Sequence, residues 1–235
     1  MMWVVNNAQW IAELVWLHLW LSVSAILVSV LIAVPVGWLV NRHQLTRDAL
    51  IALISVIYAV PSLPMFIVIP AITGVSIRSA ATVVIVLSIY GVALLQRSAA
   101  DAFAAVPQDV LDSATALGYS PWQKFWRIEL PLAGSIIIAG LRVVVVNTVS
   151  LVTVGAVIGI QSIGSLFTDG FQRGIIAEVV TGLVLTIVLA LVLDALTVLA
   201  GWLLFPWKRA ERVGPGPLVV AGVTQGEPAG EEGAR

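Results

Sequence analysis

Residues 104–130 read AAVPQDVLDSATALGYSPWQKFWRIEL, a long polar connection set between apolar runs. Its chemistry is that of two short helices rather than a slack linker. Pro107 suits a first helical turn, and Asp109 places negative charge near that N-terminus. The pattern predicts a helix to Leu117, closed by Gly118 in the left-handed conformation. Ser120 then restarts the chain as an N-cap, with Pro121 at the first helical position and Gln123 completing an S-x-x-Q capping box. Trp122, Phe125 and Trp126 beside Lys124 and Arg127 give the second helix a composition suited to a membrane interface. Leu130-Pro131 is expected to end it and open the next apolar run. The segment therefore reads as a helix, a glycine corner and a second helix.

What surrounds it is bilayer material. Apolar residues make up 60% of the 235 and charged residues 11%, against about 45–50% and 25% in soluble domains. A soluble globule of this size has too little interior to hide that much apolar surface. Charge-free runs long enough to cross a bilayer cover Leu14–Val40, Ala49–Ile77 and Ser79–Gln96, the last continuing towards Phe103. Two more run from Pro131 to about Ile160 and from about Val179 to Trp207, interrupted only by Arg142 and Asp194 respectively. Their length and continuity favour helices over barrel strands. The fold class expected is an all-α integral membrane protein with about five transmembrane helices.

Charge sets the orientation. Arg42 and Arg47, then Arg97, Lys124 and Arg127, then Lys208, Arg209 and Arg212 fall on one side, eight cations against Arg78 and Arg173 on the other. That bias predicts an outside N-terminus and an inside C-terminus, with residues 104–130 in the cytoplasm. The chain divides into an extracytoplasmic start (1–13), a transmembrane domain (14–207) and a tail (208–235). The tail carries Gly214-Pro215-Gly216-Pro217 and three Glu after Gln225, a composition expected to be disordered. The start lacks the basic region of a signal peptide.

Several chemistries are excluded. A net charge of -1 argues against a nucleic-acid partner. Without Cys there is no thiol chemistry, and His18 and His43 show no metal-ligand spacing. No phosphate-binding G-x-x-x-x-G-K-[ST] loop occurs, so ATP is not bound by that route. An intramembrane enzyme stays as a lesser alternative, because it needs a convergent site and among the carboxylates only Asp194 lies deep. A stand-alone channel would explain the spans but not the capped loop.

Polar groups within the spans are the remaining candidates. Arg142 lies 11 residues past Pro131 and Asp194 13 before Trp207, about 16 and 20 Å along their helices. An unpaired charge at that depth costs about 2.5–3.5 kcal/mol. An ion pair between them, fixing the register of two antiparallel spans, or a common polar cavity, removes that cost. Pro61, Pro64 and Pro70 are expected to break or kink the second span, and freed carbonyls are tolerated only against protein or a water-filled path. Pro61, Ser62 and Pro64 are thus candidate pathway-lining residues, with Tyr90 and Asn147 as weaker additions; a simple packing kink is the alternative.

The spacing of Asp112-Ser113-Ala114, Gly118 and Ile128-Glu129-Leu130-Pro131 resembles the E-A-A-x3-G-x9-I-x-L-P signature of permease subunits of ABC importers, with Asp112 for Glu and Ser113 for the first Ala. The similarity extends over about residues 14–205. Val60-Pro61-Ser62-Leu63-Pro64, Ile89-Tyr90, Ala139-Gly140-Leu141-Arg142 and Val154–Gly159 resemble the osmoprotectant permeases for glycine betaine, carnitine or choline. Ile163-Gly164-Ser165-Leu166 with Gly170 resembles their outer loop, although Ile160–Ile163 departs from its glycine-rich centre. The resemblance implies a type I importer fold like that of the methionine permease, in a bacterial inner membrane. It implies that Asp112, Ser113, Ala114, Gly118, Ile128, Leu130 and Pro131 form the loop that couples to a cytoplasmic ATPase. It also implies a second permease copy or paralogue and an extracytoplasmic substrate-binding protein. ATP and Mg belong to the ATPase subunit, so this chain is expected to hold no cofactor and to catalyse no reaction itself.

Overall fold

The computed structural model describes residues 2–42 and 44–207; the expectations placed on His43 and on the 208–235 tail lie outside the described residues. In chain order the helices are α1 (Met2–Asn6), α2 (Ala8–Val40), α3 (Gln44–Ala59), α4 (Ser62–Thr73), α5 (Ala80–Ala104), α6 (Gln108–Ala116) and α7 (Pro121–Lys124). A π-helical turn, Phe125–Glu129, leads into α8 (Leu130–Val154), which ends in a 3-10 turn, Gly155–Ile158. α9 (Gly164–Arg173) and α10 (Ile176–Leu204) complete the described chain.

Among the described residues four segments are long and apolar enough to cross a bilayer: Ala8–Val40, Ala80–Ala104, Pro121–Ile158 and Ile176–Leu204. The shortest, 25 residues, spans about 37 Å at 1.5 Å per residue, more than the ~30 Å hydrocarbon core. The α3–α4 pair is apolar enough only when its two helices, bent by 105° to each other, are taken together, as a broken span or a re-entrant loop, and a fifth crossing is counted if the pair is one span. The first crossing starts at Ala8 rather than Leu14. Glu13 interrupts the charge-free run but lies on an exposed face, and an exposed charge does not stop a helix.

The break in the second crossing falls at Pro61, whose extended backbone (ψ 142°) starts α4. Its missing N–H leaves the Ile57 carbonyl without a helical donor, and Val60 N donates there instead at 3.2 Å. Pro64 sits in the first turn of α4, where a donor is not needed, and Pro70 lies inside the same helix. Of the three prolines expected to break or kink the span, Pro61 therefore marks the bend.

α5 lies between α2 and α8 and is the centre of the molecule: half of its apolar window is buried. Leu95 and Phe103 pack there with Val34, Ile137 and Val144, and towards the other end Val86 and Leu87 pack with Leu21 and Val152. α10 packs on α8 and α9, and only 11% of its window is buried. Its outward side is a wall of Leu, Val and Ile.

Candidate coupling hairpin

The two ends of the polar hairpin are fixed by local hydrogen bonds. Pro107 is the residue before α6, extended at ψ 134°, and Gln108 begins the helix. At the far end Gly118 adopts φ 82°. Its N–H donates to the Thr115 carbonyl at 2.9 Å, and that of Tyr119 to the Ala114 carbonyl at 3.1 Å. That pair of bonds is a Schellman motif, and it requires the left-handed residue. Ser120 and Gln123 form the reciprocal capping box: Ser120 N donates to Gln123 Oε1 at 2.8 Å, and Gln123 N donates to Ser120 Oγ at 3.3 Å. Lys124 Nζ donates to Thr115 Oγ1 at 3.0 Å, tying the second helix back to the first.

Leu130-Pro131 does not end the second helix. The chain runs helically from Pro121 to Ile158, with Phe125–Glu129 wound as a π turn. The physical reason is Pro131 itself. It has no N–H for the Arg127 carbonyl, and its ring would collide with that carbonyl in a regular helix. Widening the turn, with Leu130 N donating to the Phe125 carbonyl, relieves the collision without stopping the helix.

The residues of the signature occupy different situations. Asp112, Ser113 and Gly118 are exposed, with Asp112 accepting from Gln108 at 3.0 Å. Ala114 is turned inward and buried. Ser113, Ala114 and Ile128 border a shared surface depression with Val110, Leu117 and Tyr119. Leu130 and Pro131 open α8, partly buried. Leu117, at the tip, is 77% exposed.

Sequence reasoning missed how this hairpin is anchored. Phe125 is buried and makes ring contacts with Trp38 of α2, Phe103 of α5 and Trp122, at 4.8, 6.0 and 5.5 Å between centroids. Trp38 Nε1 donates to Glu129 Oε2 at 2.6 Å, a short bond to a carboxylate. Arg42 lies over the outer face of the Trp38 ring, 4.1 Å from its centroid. Just before Trp38, the α2 ladder is weakened twice. Pro35 removes the donor for the Leu31 carbonyl. The buried Gln96 amide, turned to suit both partners, donates to Ala33 O and accepts from Gly37 N, each at 3.1 Å. Gly37 permits this approach, because a Cβ there would lie 2.7 Å from the Ala99 Cβ. A side chain drawing on a helix ladder is a recognised cause of bending. The only hints in the sequence were an acidic residue in a basic segment, Glu129, and a glutamine inside an apolar run.

The other candidates fall on separate elements. Tyr90 is buried, and its hydroxyl donates to the Val60 carbonyl, just before the start of α4. Pro61 and Pro64 are exposed and Ser62 partly so. Asn147 is partly buried on α8, away from the proline break in sequence and element. Arg142 and Asp194 meet in a bidentate pair, Nε to Oδ1 at 2.7 Å and Nη2 to Oδ2 at 2.8 Å. His18 is buried, with Nε2 3.1 Å from the Val149 carbonyl.

Residues 9–206 match the family described as binding-protein-dependent transport system inner membrane component. The osmoprotectant import permease protein OsmW of Salmonella typhimurium is 28% identical over 196 residues, 81% of this chain and 90% of that protein. The carnitine transport permease protein OpuCD of Listeria monocytogenes is 28% identical over 198 residues, covering 84% and 86%. The glycine betaine/carnitine/choline permease protein OpuCD of Bacillus subtilis is 26% identical over 199 residues, covering 84% of each. Among solved structures, a chain of the inward-facing MetNI methionine ABC transporter superposes with a TM-score of 0.69 at 20% identity, over 88% of this chain and 97% of that one. A chain of an amino acid ABC transporter gives 0.69 at 17% identity, over 85% and 96%.

Proposed function

The chain belongs to the family of inner membrane components of binding-protein-dependent transport systems, and from that premise we propose that it is the permease of an ATP-driven osmoprotectant importer. It is a multi-pass inner membrane protein with the type I ABC importer permease fold. The solute class rests on the relatives, whose names specify osmoprotectant, carnitine, choline and glycine betaine transport across more than four-fifths of this chain.

The hairpin supports the mechanism. In this reading residues 104–130 face the cytoplasm, and the exposed edge formed by Asp112, Ser113, Leu117 and Gly118 seats in an ATPase subunit. The observation that carries the reading is the tight closure of this hairpin by a Schellman motif, a capping box and the Lys124–Thr115 bond. A hairpin so fixed moves as a body. Its anchor on α2 through Trp38 and its continuity with α8 pass that movement into the spans. Two permeases, identical or paralogous, would enclose a pathway opened alternately to each side, with a substrate-binding protein delivering solute at the face near α9.

The experiment is reconstitution of this chain with its partner subunits in liposomes. ATP-dependent uptake of labelled glycine betaine, carnitine or choline is expected, and none without this chain. Uptake of another solute class with none of these three would contradict the osmoprotectant assignment.

A further inference from the structure

The Arg142–Asp194 pair does more than join two helices. Arg142 is the central residue of α8 (Leu130–Val154), so it lies deep in the span. Its side chain is nonetheless 49% exposed and that of Asp194 20%. A guanidinium has five N–H donors, and the pair uses two of them. A half-exposed guanidinium at this depth faces water or protein, not hydrocarbon.

A second observation points the same way. The outward arc of α8 around Arg142 carries Ala139, Val143, Val146 and Ser150, with Asn147 partly exposed at its margin. Val143 and Val146 are apolar, as are the exposed Leu132 and Ile136 nearer the start of the helix, but Ala139, Asn147 and Ser150 are small or polar, the kind found where a span meets protein or a polar cavity. The outward arc of α10 is the opposite, with Leu183, Ile187, Leu191, Leu196 and Leu199 exposed. The α8 arc thus carries polar groups, Arg142, Asn147 and Ser150, that the α10 arc lacks, as a face turned to a protein partner or a polar path would.

We propose that the Arg142–Asp194 pair is a solute-contacting dyad in the wall of the translocation pathway, built for zwitterions. The inference rests on the reading of the chain as an osmoprotectant permease. The dyad is neutral overall and presents both signs side by side. A carboxylate approaching it meets the spare guanidinium donors, and a cationic ammonium group carried on the same small molecule meets the Asp194 carboxylate. Glycine betaine and carnitine carry both charges and satisfy both partners with no net charge added to the span. Choline carries only the cation and leaves the spare guanidinium donors of Arg142 without an anionic acceptor, so the dyad discriminates against it.

The test uses the assembled transporter and the double variant Arg142→Gln with Asp194→Asn, which keeps a hydrogen bond between α8 and α10 but removes both charges. Saturation-transfer NMR reads contact between the complex and the methyl groups of glycine betaine or choline, without the binding protein. The wild type is expected to transfer saturation to glycine betaine more strongly than to choline. The double variant should lose the glycine betaine signal and glycine betaine uptake by roughly ten-fold, the scale of one lost charge-assisted contact. Undiminished signal and uptake in the double variant, or a wild type that does not favour glycine betaine over choline, overturns the dyad. If the double variant does not assemble, Arg142→Lys is read in the same way, with a smaller loss expected and no loss overturning the proposal. A wild type that imports no osmoprotectant overturns the functional reading, whereas a wild type that imports glycine betaine alongside an equally active double variant overturns the dyad alone.

Discussion

Gly118 and Trp38 show how single side chains set the behaviour of the hairpin. At φ 82° a β-branched side chain is strained by roughly 1–3 kcal/mol, although nothing lies within 4 Å of where its Cβ would be. The cost is thus purely conformational and local. Gly118→Val is expected to insert and fold in the membrane but to lose uptake, measured in reconstituted vesicles against the amount of assembled complex. Full uptake would show that the corner geometry is dispensable. Trp38→Phe keeps a ring against Phe125 but removes the indole N–H that reaches Glu129 and trims the ring under Arg42. Loss of a hydrogen bond to a charged group is worth about 1.5–3 kcal/mol. ATP hydrolysis should continue while import per ATP falls several-fold; proportionate loss of both would assign Trp38 a packing role only.

At the scale of elements, the proline break and the π turn follow one rule: a missing N–H must be compensated where it occurs. In the second crossing Val60 N takes the Ile57 carbonyl that Pro61 leaves without a donor, and the Tyr90 hydroxyl takes the Val60 carbonyl beside the break. Tyr90→Phe leaves that acceptor unpaired, and thermal unfolding of the purified protein should report a loss of about 1–3 kcal/mol; an unchanged melting temperature would place water or lipid headgroup at the carbonyl instead. The caps of the hairpin were legible in the sequence because each is written within six residues: Gly118 after a helical run, and Ser120 with Gln123. The π turn was not, because Pro131 reads equally well as a stop signal or as the cause of a bulge. Which of the two holds depends on the packing of Phe125 against α2 and α5. The Trp38–Glu129 bond joins residues 91 apart, and no local pattern announces it. Likewise, the first crossing began earlier than its charge-free run because exposure of Glu13 is a tertiary fact.

For the whole molecule, the division of labour follows from surfaces. α5 is the most buried of the spans, α10 shows the environment an apolar side, and α8 turns a paired Arg outward with Ser150 and Ala139 among apolar neighbours. At one end a closed, anchored hairpin leaves its tip bare. The central claim is that this tip is gripped from the cytoplasm by an ATPase subunit. The chain contains no Cys, so Leu117→Cys, 77% exposed in the native position, carries the sole thiol in this subunit. Fitted with a thiol-reactive photo-crosslinker in the assembled transporter, it is expected to yield an adduct with the ATPase subunit, and to react with impermeant reagent in inside-out vesicles alone. Reaction from the outer face of intact cells, or irradiation that joins it to no other polypeptide, would contradict the account.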